Sequence, residues 1–329
     1  MHCIVKSYLC SKGFAVPASD SAIPPLPPYP GHDRGRWLGL IAGASALALA
    51  AGFGIGRATA GDDGSGPKLT TVKVGTTEAN SDIWPIMQRL GKAEGLNIEP
   101  VSFSDYTQAN PALSQGQIDL NLFQHLQFLG SYNVEAKQNL TPIGATVITP
   151  LPLYSKKHQK LNQIPAGGKI AIPNDATNQA RALLVLQAAK LLTLKDGGNA
   201  LSTPADIDKA ASKVTVVPVD AAQTVASLPS VDGAIINNNF ALDADLDPNK
   251  ALFQDDPKSR NAEPYINVVV SRAEDKDNAT YAKVVKIWHN PEVLAAKKKE
   301  TKNTAVIIDR PAADLSKILQ RLEKDIAAK

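Results

Sequence analysis

From Leu69 onward the chain alternates short β-branched segments with stretches of helical spacing, and this alternation restricts the possible folds more than any other feature. Thr71-Val72-Lys73-Val74 reads as a strand ending at Gly75, and Ser81–Ala93 as a helix carrying Ile83, Ile86, Met87 and Leu90 on one face. Leu96–Phe103 and Ile118–Phe123 read as further strands, with a short helix around Ala112-Leu113 between them. The same rhythm resumes with a strand at Lys169–Ile172, a helix at Thr177–Leu192, a strand at Val214–Val219, a helix at Ala221–Leu228 and a strand at Ala234–Asn237. Strands separated by helices favour parallel sheets covered by helices. Two such blocks predict an α/β fold with two lobes, residues 149–240 forming the second. Residues 69–148 and 241–329 form the first, through a late strand at Tyr265–Val270 and helices at Asn278–Trp288 and Ala312–Ala327. A chain that crosses twice between lobes has a hinge on which they can close.

The residues before this alternation do not share its pattern. Residues 1–36 lack a helix or strand period and contain Ile23-Pro24-Pro25-Leu26-Pro27-Pro28-Tyr29-Pro30, which favours polyproline II in a disordered tail. Trp37–Gly56 then runs without a charge, and about 20 apolar residues suffice to span a bilayer. Lys6, Lys12, Arg34 and Arg36 precede this run and Asp62 and Asp63 follow it, so the expected topology is N-terminus in the cytoplasm and the globular part outside. The reading adopted is a transmembrane anchor at 37–57, joined by a flexible linker at 58–68 of roughly 18 Å r.m.s. reach. The alternative is secretion after cleavage near Ala60, because Ala58-Thr59-Ala60 has small-x-small form. Gly52, Gly54 and Gly56 lie inside the apolar run and make no dinucleotide fingerprint.

Open α/β sheets bind ligands beyond the carboxyl ends of their strands. Polar and aromatic residues gather at those ends: Phe103 and Tyr106 after the second strand, Phe123 and His125 at the end of the third, Asn178 and Arg181 after Pro173, Asn237 and Asn239 after Ile235-Ile236. Asn174, Asp175 or Thr177 can cap the helix that follows Pro173, whose N-terminus favours an anion. Arg181 can grip a carboxylate through paired hydrogen bonds, facing water in an open cleft until the carboxylate arrives, or it is an ordinary surface arginine. Aromatic residues make up only 5% of the chain, so their clustering here points to walls for an apolar or thioether side chain, or simply to core packing. Asn237-Asn238-Asn239 either forms an Asx-type turn or offers amides to both ends of a zwitterion.

Other classes of function find no support. A net charge of +3 is small for 329 residues and leaves no nucleic-acid footprint. Cys3 and Cys10 both precede the apolar run, and no two of the histidines have metal-ligand spacing, so neither a cofactor nor a metal is expected. Gly-x-Ser-x-Gly, P-loop and His-Glu-x-x-His strings are missing, which favours a binding protein over an enzyme.

Several strings resemble the MetQ/NlpA family of methionine-binding proteins. They are Phe103-Ser104-Asp105-Tyr106, Asp119-x-Asn121-x-Phe123-Gln124-His125, Pro173-Asn174-Asp175-x-x-Asn178-x-x-Arg181, Asn237-Asn238-Asn239-Phe240-Ala241 and Pro264-Tyr265-Ile266-Asn267, in order along the chain. The resemblance implies a two-lobed periplasmic-binding-protein fold of type II-like form, serving as the monomeric extracytoplasmic receptor of an ABC importer. Its partners would be a small amino acid, methionine above all, and the permease transmembrane subunits. By motif position, the resemblance assigns the ligand carboxylate to Arg181, the amino and carboxylate groups to Asn178, Asn237 and Asn239, and the side chain to Phe103, Tyr106, Phe123 and His125. This chain departs from the family in three places: no lipobox cysteine follows the apolar run, Thr149-Pro150 stands where Tyr-Pro is common, and Thr77-Glu78-Ala79-Asn80 replaces a Gly-Pro-His-type turn.

Overall fold

A computed structural model describes residues 68–329. The tail expected at 1–36, the anchor at 37–57 and nearly all of the linker at 58–68 lie outside the described residues. Among the described residues no helix is long and apolar enough to cross a membrane.

In chain order the first part holds β1 (Thr70–Thr76), α1 (Ile83–Ala93), β2 (Leu96–Ser102), α2 (Ala109–Ser114), β3 (Leu120–His125), α3 (Leu126–Ala136), β4 (Thr141–Ala145) and β5 (Val147–Ile148). The second part holds β6 (Pro152–Tyr154), β7 (Gly168–Pro173), α4 (Ala176–Ala188), β8 (Val214–Val219), α5 (Thr224–Ser227), β9 (Gly233–Ile235), α6 (Asn238–Asp243) and β10 (Phe253–Gln254). The chain ends with β11 (Asn267–Ser271), α7 (Ala279–Trp288), α8 (Pro291–Glu300), β12 (Val306–Ile307) and α9 (Ala312–Ala327).

These strands form two five-stranded sheets, ordered β2-β1-β3-β11-β4 and β10-β6-β9-β7-β8, with β12-β5 as a small separate pair. The sheets are mixed, not purely parallel. β1 pairs in parallel with β2 and β3, but β11 runs antiparallel to both β3 and β4. In the second sheet β7 is parallel to β8 and β9, while β6 is antiparallel to β9 and β10. The antiparallel strands β6 and β11 enter where the chain changes sheet and where it returns, with no helix before β6 and only a 3-10 segment, Arg260–Tyr265, before β11, so α-helical spacing cannot announce them. β10 belongs to the second sheet although it lies beyond the boundary at 240 expected from the alternation. Its two residues are too few to carry a period.

Helices cover the sheets with faces already visible in the sequence. α1 buries Ile83, Trp84 and Met87 against Leu96 and Ile98. α9 buries Leu315, Ile318, Leu319 and Leu322, an i, i+3, i+4, i+7 stripe, against α3 and β4. The second sheet is covered by α4, whose Ala182, Leu183, Val185 and Leu186 pack with Ile170, Ile172 and Ile235. Each such aliphatic side chain taken from water contributes about 1.5–3 kcal/mol. At the end of β1, Gly75 lets the core close: a Cβ there would lie 2.4 Å from Ile118 Cδ1 and 2.9 Å from the Phe103 ring.

Candidate functional site

A partly open cavity lies between the ends of the two sheets, lined from the first by Glu78, Tyr106, Phe123, Gln124, His125, Phe128 and Asn267, and from the second by Asn178, Arg181 and Asn237–Asn239, with Thr149 at the crossing. Seven of the eight residues singled out from the sequence meet here; Phe103 does not. It is half-buried beside Gly75 and the core of the first lobe, because the turn after β2 carries Tyr106 inward in its place.

Tyr106 forms one wall. Its ring lies 6.1 Å from Phe123, 6.0 Å from Phe128 and 5.2 Å from Phe240, the last contact crossing between lobes. The buried hydroxyl donates to Asn239 Oδ1 across the cleft. Burial, then the nearby Asp175 and Glu78, push its pKa well up, so it remains a phenol.

His125 ends β3 and caps α3, its Nδ1 accepting from the Phe128 N–H at 3.1 Å. The proton therefore sits on Nε2, which faces Asn178 Oδ1 at 3.3 Å across the lobes. Burial, reinforced by the Arg181 charge, lowers the histidine to about 3, so the ring is neutral. Behind it, Asn110, Asn121 and Gln124 form a buried amide network with bonds of 2.8–2.9 Å between Asn110 Nδ2 and Gln124 Oε1 and between Asn121 Nδ2 and Asn110 Oδ1. That network fixes the backbone from which Phe123 and His125 project.

Asp175 caps α4, accepting from the Asn178 N–H at 3.0 Å and from Asn178 Nδ2 at 2.9 Å. The helix N-terminus thus already has its acidic partner, contrary to the expectation of a place there for a ligand anion. Asn178 Oδ1 also accepts from Asn237 Nδ2 at 2.9 Å. Asn237 stands at the N-cap of α6 but makes no side-chain cap bond. Its amide turns to the cavity, which sets aside the Asx-turn alternative. Asn237 Oδ1 and Asn239 Nδ2 are buried there without a partner. A buried amide atom left unpaired costs about 1–3 kcal/mol, so both are available to a zwitterion.

Arg181 is neither exposed nor an open-cleft residue. It is 4% exposed, its Nε donates to Asp255 Oδ2 at 2.8 Å, its Nη2 donates to the Thr149 carbonyl at 2.8 Å, and its Cζ sits 4.2 Å over the Tyr265 ring. Asp255 is itself held by the Leu151 N–H at 2.7 Å. Among the described residues Nη1 has no hydrogen-bond partner, so the guanidinium is oriented by its other edge. Glu78, Gln124, Phe128, Thr149, Asn238 and Asn267 also line the cavity and were not singled out. Phe128 had a signal, as the third helical residue after a capping histidine; Glu78 had one too, in the Thr77–Asn80 turn that follows β1 and departs from the family. Among the described residues no group of three His, Cys, Asp or Glu side chains could hold a metal ion.

Two helix-covered sheets joined by two crossings, with an amide- and aromatic-lined cavity between their ends, define a mixed α/β protein. The chain belongs to the NlpA lipoprotein family, whose sequence profile matches residues 72–308. It is 36% identical over 240 residues to the D-methionine-binding lipoprotein MetQ of Yersinia pestis, covering 71% of this chain and 87% of that protein. The structure of protein PG110 from Staphylococcus aureus superimposes with a TM-score of 0.74 at 36% identity, over 76% of this chain and 99% of the other. A nutrient-binding protein from Burkholderia cenocepacia, solved bound to methionine, gives a TM-score of 0.66 at 38% identity over 72% and 99%.

Proposed function

We propose that this protein is the extracytoplasmic substrate-binding protein of an ABC importer, with a periplasmic-binding-protein fold that closes on methionine and hands it to the permease. The observation that carries this reading is the pairing of unsatisfied, buried amide atoms with an oriented guanidinium in one cavity: Asn237 Oδ1 can accept, Asn239 Nδ2 can donate, and Arg181 adds its guanidinium to the lining. An acceptor beside two donors matches the ammonium and carboxylate of a free amino acid. Tyr106, Phe123 and Phe128 then enclose its side chain, and aromatic rings favour a thioether by about 0.3–1.5 kcal/mol. The names of the relatives in Yersinia and Burkholderia support methionine. The site binds and releases; it performs no chemistry on its ligand. The uncharged run at 37–56 tethers the protein to the membrane in place of a lipid.

A related small amino acid is the second reading, favoured by Thr149, which lines the cavity where the family commonly has an aromatic residue. Mass spectrometry of the ligand released from purified, denatured protein, followed by calorimetric titration of the stripped protein, tests both. Methionine is expected in the released fraction and in the titration. A stripped, folded protein that binds no free amino acid refutes the proposal.

A further inference from the structure

Glu78 brings a carboxylate to the cavity from the turn after β1, where this chain departs from the family. It lies in the loop between β1 and α1 and lines both the cavity and the neighbouring cleft, with Asn239 the only other residue common to the two. Its backbone is tied on both sides: the N–H donates to Thr76 Oγ1 at 3.0 Å, and the carbonyl accepts from the Trp84 indole at 2.8 Å. Its Oε2 accepts from Lys297 Nζ at 2.7 Å, and the same ammonium reaches Glu300 Oε2 at 3.0 Å. Lys297 is only 3% exposed. Burial opposes its charge, but Glu78 and then Glu300 outweigh that and raise its pKa, so it stays an ammonium.

Two carboxylates against one ammonium leave one negative charge over. Its field reaches the surrounding groups: Asp243 is raised by burial and then by Glu78 and Glu300. Among the described residues neither Glu78 Oε1 nor Glu300 Oε1 accepts a hydrogen bond, and of the two carboxylates only that of Glu78 lines the cavity. Arg181 contributes the guanidinium to the same lining. The cavity lining therefore carries a carboxylate with a net negative charge around it and, on a different element, a guanidinium paired on one edge with Asp255.

We infer that Glu78, held in place by Lys297, receives the α-ammonium of the ligand alongside Asn237, making the site selective for amino acids whose amine is free and charged. The inference rests on the reading given under Proposed function and adds a specificity-determining residue to it.

The test is calorimetric titration of the stripped full-length protein with methionine and with 4-(methylthio)butanoate, which keeps the thioether and carboxylate but lacks the amine. Glu78→Gln should lower methionine affinity roughly tenfold or more while changing affinity for the amine-free analogue less than about twofold. Glu78→Asp, which keeps a charge for Lys297 but withdraws it from the cavity, should show the same selective loss if the glutamine variant does not fold. An equal loss for both ligands, or unchanged methionine affinity, overturns the inference. A wild-type protein that binds no amino acid overturns the underlying reading as well, and is recognised before any variant is made.

Discussion

Arg181 has two duties that can be separated. Replacing it with methionine keeps much of the volume and removes the charge, which strands Asp255 beside Leu151 and leaves the Thr149 carbonyl without its donor. Breaking a buried ion pair by removing one partner costs about 3–5 kcal/mol. The Asp255 side chain is 24% exposed and can partly rehydrate, so a loss of roughly 2 kcal/mol is expected without ligand. The ligand carboxylate loses its charged partner as well, costing ~2–5 kcal/mol, or roughly 30- to several-thousand-fold in affinity. Adding Asp255→Asn removes the stranded charge and should restore much of the stability without restoring affinity. Urea unfolding of the stripped protein gives the first quantity and calorimetry with methionine the second. A double variant that regains affinity, or a single variant with an unchanged dissociation constant, refutes the carboxylate-clamp role and leaves Arg181 a structural residue.

Three further outcomes are expected. His125 has an ordinary value of 6.5 when unfolded and about 3 when folded, so it stabilises the native state above pH 6.5 and that stability is lost as pH falls from 6.5 towards 3. The unfolding free energy of the wild type minus that of His125→Gln should slope by up to about 1.4 kcal/mol per pH unit in this window, the contribution of Asp175 cancelling in the difference; a flat difference contradicts the neutral, buried ring. Tyr106→Phe leaves Asn239 Oδ1 buried without its donor across the lobes and should weaken methionine binding by about 1–3 kcal/mol in calorimetry, with unchanged affinity refuting that bond's part in closure. N-terminal sequencing of protein taken from the native membrane should find the run at 37–56 retained, and a mature chain beginning at Gly61 would replace the anchor with cleavage.

Much of the fold was legible because its determinants are local. The β/α alternation gave the positions of β1, β2, β7 and β8, and the apolar stripe of α9 gave its bounds, because side-chain period and backbone geometry are coupled within a single element. α4 ended earlier than its apolar run suggested. Lys190 takes the left-handed conformation at φ 59°, and the Leu191 N–H bonds back to the Leu186 carbonyl at 3.0 Å, a closure usually given to glycine. Residue type did not disclose that turn.

Strand-end clustering likewise groups Tyr106, Phe123, His125, Asn178, Arg181, Asn237 and Asn239, which line one cavity, because an α/β sheet brings those ends together whatever the details of its packing. What it missed depends on pairs far apart in the chain. Asp255 orients Arg181 from 74 positions away, Asn239 meets Tyr106 across 133, and Lys297 holds Glu78 across 219. Such pairs leave no period and no spacing in the sequence, since any buried charge or amide can be satisfied by whichever complementary group the packing delivers. Which residues stand at the strand ends is written in the local pattern, Glu78 after β1 among them. Long-range packing alone turns Phe103 away, buries and pairs Arg181, and ties the Glu78 carboxylate to Lys297.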